Sequence, residues 1–255
     1  MIELFSVSKR YKKDWVVKDI NFSALDGEVI GIIGRNGCGK STILKMVAGI
    51  IRPTRGKIKL NSNLISYIPE KPVLIPELKL EENIGYFASI RNVSKEKIDK
   101  EIEYFQLSSH LKKRPMELSK GLQQRLSMAI ALLIDPDIVL LDEPTSGLDA
   151  ESKKLILNRI KELKMNKKTI LYVTHDDEEI EKICDKVLIL NKGVKVFFGS
   201  VEDFWMKYER FVYVTLAKDK ETKLVRIEDL KNFEDIVHIR SVGIREYLGG
   251  LENGK

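Results

Sequence analysis

Cysteine is nearly absent. Cys38 and Cys184 are the two in 255 residues, too few and too unlike in setting for a disulfide framework or a zinc site, which fits a reducing compartment. Histidine is as scarce, and His110, His175 and His238 show no metal-ligand spacing. No apolar run approaches the roughly 18 residues that a bilayer-spanning helix needs; Met128 to Ile134, among the greasiest stretches, is ended by Asp135. The opening Met1-Ile2-Glu3-Leu4 reads as the start of a strand rather than a secretory signal. A dense basic block interleaved with aromatics is missing too. The 44 Lys and Arg against 38 Asp and Glu leave +6, spread along the chain as on a solvated surface, so no nucleic-acid partner is expected. What is present, 43% hydrophobic and 32% charged residues, suits a cytoplasmic globular chain able to bury a core.

One stretch organises the rest. Gly34-Arg35-Asn36-Gly37-Cys38-Gly39-Lys40-Ser41-Thr42 follows the apolar run Val29 to Ile33 and opens a helical stretch, Thr42 to Ile50. Strand, glycine-rich loop and helix with the spacing G-x-x-x-x-G-K-S make a phosphate cradle. The glycines permit backbone conformations closed to other residues and let phosphate come near. Successive N–H groups and the helix N-terminus then face the anion. Lys40 brings a full charge to the β- and γ-phosphates, and the Ser41 hydroxyl is a hard oxygen suited to Mg²⁺.

The second half supplies acids. Ile138 to Leu141 is continuously apolar, as in a strand buried on both faces of a parallel sheet, and it ends in Asp142-Glu143-Pro144. Asp142 can hold Mg²⁺ directly or through water. Glu143, one residue on, points elsewhere and can act as general base on a water. Thr169 to Val173 is another strand, ending in Thr174-His175-Asp176. His175 there can contact a γ-phosphate, charged or neutral, or be only a surface residue.

Around these motifs the elements alternate. Ile2 to Val7 reads as an edge strand, and Val16-Val17 and Ile20 to Ala24 as two short ones. Lys57 to Leu60 and Leu64 to Ile68 follow as strands. Pro69, Pro72 and Pro76 break regular structure. Leu80, Ile84 and Phe87 recur at helical steps, Ser94 is a plausible cap for a helix to Phe105, and Leu107 to Leu111 reads as a third short helix. Residues 72 to 128 thus form a helical insertion. Leu122, Leu126, Ala129, Ile130 and Leu133 are the buried stripe of a further helix capped by Ser119. A helix from about Glu151 to Lys164, one from Asp177 to Cys184, and a hairpin through Asn191-Lys192-Gly193 complete an α/β unit. Beyond a helix at Ser200 to Tyr208 the tail carries strands and no motif, and from Leu248-Gly249-Gly250 it reads as frayed.

Over about residues 1 to 205 these ordered motifs resemble the ATP-binding cassette (ABC) ATPases. In that family Leu118-Ser119-Lys120-Gly121-Leu122-Gln123 is similar to the signature motif, Asp142-Glu143 to the Walker B end with its catalytic glutamate, and Ser146-Gly147-Leu148-Asp149 to the D-loop. His175 matches the switch histidine and Tyr11 the aromatic that stacks on adenine; Trp15 is a weaker candidate, and packing at the sheet edge is the alternative for Tyr11. The resemblance implies an α/β fold with a P-loop NTPase core, a mostly parallel sheet plus N-terminal antiparallel strands, an inserted helical subdomain, and a small C-terminal extension. Residues 1 to 208 form the cassette on this reading and 209 to 255 the extension, whose role is open between dimer contact, regulatory patch and packing. It implies ATP and Mg²⁺, with Lys40, Glu143 and His175 catalytic. Arg35, Asn36 and Cys38 belong to the nucleotide loop.

The family uses the signature in trans. Ser119, Lys120, Gly121 and Gln123 close over the γ-phosphate held by a second subunit, homologous or identical, and Asp149 lies at the seam. Two departures stand out. Glu70 replaces the usual Gln after Tyr67-Ile68-Pro69 and can ligate Mg²⁺ as a hard oxygen. Lys120-Gly121-Leu122 replaces the commoner Gly-Gly-Gln. Both resemble subunits of ABC-2-type exporters. The implied function is the ATPase of a transporter, peripheral on the inner face of the membrane, with separate membrane-spanning permease subunits whose coupling helix enters a groove beside Glu70. A soluble assembly ATPase, as in iron–sulfur cluster scaffolds, is the alternative.

Overall fold

The structure, a computed structural model, describes residues 1–208, 210–216, 222–233 and 235–247. The stretch expected to fray from Leu248 lies outside the described residues. Strand β1 (Ile2–Tyr11) pairs antiparallel with β2 (Asp14–Ala24). After them come β3 (Val29–Ile33), buried at every position, and helix α1 (Lys40–Val47). Strand β4 (Arg55–Leu60) returns to pair with β1, giving the sheet order β2-β1-β4. Ile2 to Val7 is therefore the middle of its sheet and not an edge. Its alternation reports one face on the core, which central strands of antiparallel sheets share. Val16-Val17 and Ile20 to Ala24 are one strand, not two. Asp19, at φ 49°, sits where the register with β1 slips between Val7↔Ile20 and Lys9↔Val17; a bulge interrupts the alternation without ending the strand.

Strand β5 (Ile65–Ile68) leads through the proline-bearing loop to α2 (Leu80–Ile90), α3 (Lys95–Tyr104) and α4 (Lys120–Leu132). Asn83, fully buried, accepts from the Ile75 N–H and donates to the carbonyls of Ile75, Leu78 and Lys79, so α2 holds that loop by its backbone. The expected helix at Leu107 to Leu111 is a 3₁₀ turn over Ser108–His110. Ser94 and Ser119 cap α3 and α4 by accepting from Lys97 N and Leu122 N, each cap contributing about 1 kcal/mol. The chain continues as β6 (Ile138–Asp142), α5 (Ala150–Met165), β7 (Thr169–Val173), α6 (Asp177–Ile183), β8 (Lys186–Asn191), β9 (Val194–Ser200) and α7 (Val201–Lys207). Strands β10 (Phe211–Leu216), β11 (Thr222–Arg226) and β12 (Ile236–Ser241) form a third, antiparallel sheet in the order β11-β10-β12.

The six-stranded sheet runs β5-β6-β7-β3-β8-β9, parallel except for β9. Because side chains alternate between faces, β6 divides its apolar run. Val139 and Leu141 pack with Leu126, Ala129, Ile156 and Ile160 of α4 and α5. Ile138 and Leu140 pack with Ile43 and Leu44 of α1 and with Ile2, Leu4 and Val17 of the N-terminal sheet. Each such buried side chain stabilises by roughly 1.5–3 kcal/mol. The carboxyl ends of β3, β5, β6 and β7 emerge at one edge, where parallel α/β sheets bind ligands. Among the described residues no helix is long and apolar enough to cross a membrane.

A buried carboxylate ties that edge together. Glu179, on α6 and 3% exposed, accepts hydrogen bonds from the hydroxyls of Thr145, Tyr172 and Thr174 and pairs with Lys153 at 3.1 Å. Removing it strands the three buried hydroxyls of Thr145, Tyr172 and Thr174, while Lys153 keeps its pair with Asp176. Glu179→Ala is expected to lower unfolding stability by roughly 3 kcal/mol or more, read as a shift of the urea midpoint at unchanged slope.

Candidate nucleotide-binding site

The glycine loop is shaped by contacts that only glycine allows. A Cβ on Gly34 (φ 154°) would lie 2.4 Å from the Leu190 carbonyl and 2.5 Å from Cys38 Sγ, and one on Gly39 (φ 105°) 2.9 Å from the Val16 carbonyl. Cys38 is buried and burial pushes its thiol pKa up, so it fills the loop as an apolar side chain. Lys40 is buried, with its ammonium donating to the carbonyls of Gly34 at 2.8 Å and Arg35 at 3.3 Å. The cation therefore closes over its own loop, poised for an anion. Asn36, Gly37, Gly39, Lys40, Ser41 and Thr42 line a cleft of about 360 Å³ together with Val16, Glu70, Glu143 and His175.

Ser41 Oγ donates to Asp142 Oδ1 at 3.1 Å, and Tyr67 OH donates to Oδ2 at 3.1 Å. A hydroxyl and a carboxylate side by side, with the mouth open toward the phosphate loop, are the hard oxygen donors a Mg²⁺–phosphate site takes from protein. Among the described residues no three His, Cys, Asp or Glu side chains gather as an all-protein metal cluster. Glu70 is exposed and close enough to raise the pKa of Glu143, so it bears on the cleft by charge.

Glu143 carries the unusual backbone. Its φ is 51°, in the left-handed region, which costs a non-glycine residue of order 1 kcal/mol and persists only where the surroundings impose it. Here Glu143 N–H donates to the Val173 carbonyl at 2.9 Å, Pro144 follows, and Thr145 is fastened to Glu179. The turn swings the Glu143 carboxylate to His175, whose Nε2 lies 2.5 Å from Oε1. Burial, then repulsion from Glu70, raises the Glu143 pKa. Burial, then the charges of Lys40 and Arg245, lowers that of His175. The pair is thus a neutral imidazole, its Nε2–H assigned by this bond, donating to a carboxylate of enhanced basicity.

The other expected contacts gather elsewhere. Ser119, Lys120, Gly121, Gln123 and Asp149 do not line the cleft. Asp149 caps α5, accepting from Ser152 N at 2.8 Å and Ser152 Oγ at 2.9 Å. Arg125 of α4 donates to Ser152 Oγ. A Cβ on Gly121 would meet Ser152 Oγ at 2.4 Å and Asp149 Oδ2 at 2.7 Å. Lys120 donates to the Ser146 carbonyl at 2.6 Å, and the Gln123 amide to the carbonyls of Pro115 and Leu118. The signature-like helix end and the loop 146–149 are one welded surface. Tyr11, at the end of β1, is half exposed with Lys9 5.2 Å over its ring. Trp15 is flanked by Arg10 and Arg55, at 5.4 and 5.1 Å, so its faces are taken.

Sequence reasoning missed three residues. Val16 lines the cleft by following β2 under the loop. Glu179 braces Thr145 and Thr174, which lie beside Glu143 and His175 in sequence; its place four residues after His175 on a helix start was a usable signal. Arg245 reaches His175 from the tail, and nothing local announced it.

Comparison with known proteins agrees with this geometry. Residues 17–146 match the family model described as ABC transporter. An uncharacterised ABC transporter ATP-binding protein of Methanocaldococcus jannaschii is 34% identical over 92% of this chain and 97% of its own length. A solved ATP-binding subunit of an ABC transporter superposes with a TM-score of 0.76 at 32% identity, covering 81% of this chain and 92% of its own. A dimeric bacterial ABC transporter cassette gives 0.73 at 26% identity, covering 79% and 99%. Other relatives are named for export of Nod factor in Bradyrhizobium diazoefficiens (36% identical; 78% of this chain, 70% of its own) and for import of Fe(3+) ions in Escherichia coli O157:H7 (33%; 80% and 63%). The chain belongs to the ABC transporter family, as an ATP-binding subunit with the α/β nucleotide-binding fold.

Proposed function

We propose that this chain hydrolyses ATP to power an ABC exporter, as a dimer that sandwiches ATP and docks on separate membrane-spanning subunits at the inner face of the membrane. The observation that carries hydrolysis is the Glu143–His175 pair lining the phosphate cleft together with Lys40. In that reading Tyr11 stacks on the adenine, and the N–H groups of residues 34–42 with Lys40 bind the phosphates. Glu143 takes the proton of the attacking water as its own pKa, raised by burial, favours. His175 directs the water and then contacts the γ-phosphate. Ser41 and Asp142, with Glu70 acting directly or through water, would hold Mg²⁺, which supplies charge neutralisation of the phosphates. Residues 1–208 are the cassette and 209–255 an extension of it.

The dimer is supported by what a single chain lacks. Its welded signature surface, with Ser119 at the N-terminus of α4, is an anion site on a surface away from its own cleft. A second copy facing it would supply the γ-phosphate, and the dimeric cassette of similar fold adds weight. Export rests on Glu70 and Lys120-Gly121-Leu122, because relatives bear names of both directions. A second cavity of about 600 Å³ lies where Glu70, Lys71 and Val73 meet Phe87 and Ile130. In this reading a helix from a membrane subunit enters that cavity, which also reaches Ser41 and Asp142 beside the phosphate loop.

Glu143→Gln is expected to cut phosphate release by about 10²-fold or more while ATP binding persists, and to accumulate an ATP-bound dimer visible by light scattering. Normal turnover would remove Glu143 as base. Ser119→Glu and Lys40→Ala, each inactive alone, are expected to regain turnover when mixed, since one intact composite site forms in the heterodimer; no recovery counts against sharing in trans. Co-purification from membranes is expected to bring down a spanning partner, whereas recovery with a soluble assembly complex would favour the other reading.

A further inference from the structure

The tail beyond β12 ends against the turn that carries His175. That turn, Thr174-His175-Asp176-Asp177, is fixed on its own side by Asp176, whose carboxylate caps α6 by accepting from Glu178 N and Glu179 N. Thr174 Oγ accepts from Asp176 N at 3.1 Å. The Arg245 guanidinium donates to the His175 carbonyl. The Arg245 N–H donates to Asp177 Oδ1 at 3.0 Å. The two bonds straddle the turn, one on either side of Asp176.

The approach is close and built. A Cβ on Gly243 would lie within 2.3 Å of three Asp177 atoms, so the tail backbone rests directly on that side chain. Ile244 is fully buried with Ile33, Ile180, Val187, Ile189 and Phe204. Ile33 is the last residue of β3, next to Gly34. Tyr247 packs its ring 6.0–6.1 Å from those of Phe204, Trp205 and Phe211. Packing is thus supplied by Ile244 and Tyr247. Arg245 adds something different: a charged donor on the main chain of the one residue of this turn whose side chain enters the cleft.

We propose that Arg245 is a positioning residue for His175, clamping the switch turn from the C-terminal extension so that the imidazole meets Glu143. Rotating the 175–176 peptide re-aims the His175 side chain, and a charge-assisted bond to its carbonyl resists that rotation. The guanidinium's positive charge also disfavours the imidazolium, in line with the lowered pKa of His175. The role in turnover rests on the hydrolysis reading above; the positioning does not.

The test uses the full chain with Arg245→Ala, Arg245→Lys and His175→Ala. Arg245→Ala is expected to lower kcat by about three- to tenfold, a displacement of a catalytic group by a fraction of an ångström, with KM for ATP and melting temperature nearly unchanged. Arg245→Lys keeps a charged donor and recovers most of kcat. In the His175→Ala background Arg245→Ala adds no further loss, because both act on one step. Without nucleotide, the His175 ring resonance, identified among three histidines by its loss in His175→Ala, shifts in Arg245→Ala. Wild-type kcat in Arg245→Ala, additive losses, or an unmoved His175 resonance would each overturn the proposal. So would a common fall of kcat, affinity and melting temperature, which marks plain packing. Should the wild-type chain turn over no ATP, hydrolysis fails as a reading, and the resonance alone decides the clamp. Arg245→Met, which keeps the stem, replaces Arg245→Ala if the latter does not fold.

Discussion

Three carboxylates, Glu70, Asp142 and Glu143, converge on a cleft that also holds one buried lysine. This charge balance sets what the cleft can accept. A polyanion brought there alone meets repulsion from the acids, and Lys40 with the loop N–H groups cannot cancel it. The same acids become favourable once a divalent cation travels with the phosphates, because each then faces positive charge. Burial sharpens the contrast by weakening solvent screening. On the proposed reading this charge balance suits a metal–nucleotide pair, and the parallel order β5-β6-β7-β3 delivers all four groups to one place.

Holding these groups still requires support that carries no charge into the cleft. Glu179 provides it from below. Its carboxylate joins the loop after β6, the end of β7 and the start of α6, so Glu143 and His175 sit on segments that share one anchor. The left-handed turn at Glu143 persists for the same reason: the Val173 carbonyl and the fixed Thr145 leave it no relaxed alternative. The other surface, from Ser119 to Asp149, is rigid by a separate set of bonds through Ser152 and Arg125. The two surfaces are thus held by separate sets of bonds, as the proposed sharing of one ATP between two copies requires.

Much of this was legible in order along the chain. The phosphate loop, Asp142-Glu143 and His175 each follow an apolar run, and the ends of parallel strands share an edge, so sequence placed them together before any coordinates did. Caps at Ser94 and Ser119 were legible because a side-chain oxygen three residues before a free N–H is a local matter. The errors lay where the cause is non-local. Alternation cannot distinguish the centre of the N-terminal sheet from its edge, and a bulge at Asp19 looks like a break. Other contacts were simply out of sight: Arg10 and Arg55 lie beside the Trp15 ring, and the Lys120 ammonium and the Gln123 amide bond to carbonyls of their own chain.

The tail shows the limit most clearly, and also what the fold gains from it. Its contact with the site depends on Gly243, whose missing side chain lets the backbone reach Asp177, and on Ile244, whose burial sets Arg245 at the right height. Neither residue belongs to a motif, and each has meaning only after β10–β12 have brought the chain back to α6. The chain thus adds a second support to the switch turn from 70 residues away in sequence. The Arg245 guanidinium bonds the His175 carbonyl, whereas Glu179 is held by the hydroxyls of Thr145, Tyr172 and Thr174, so the two supports reach the turn through different groups.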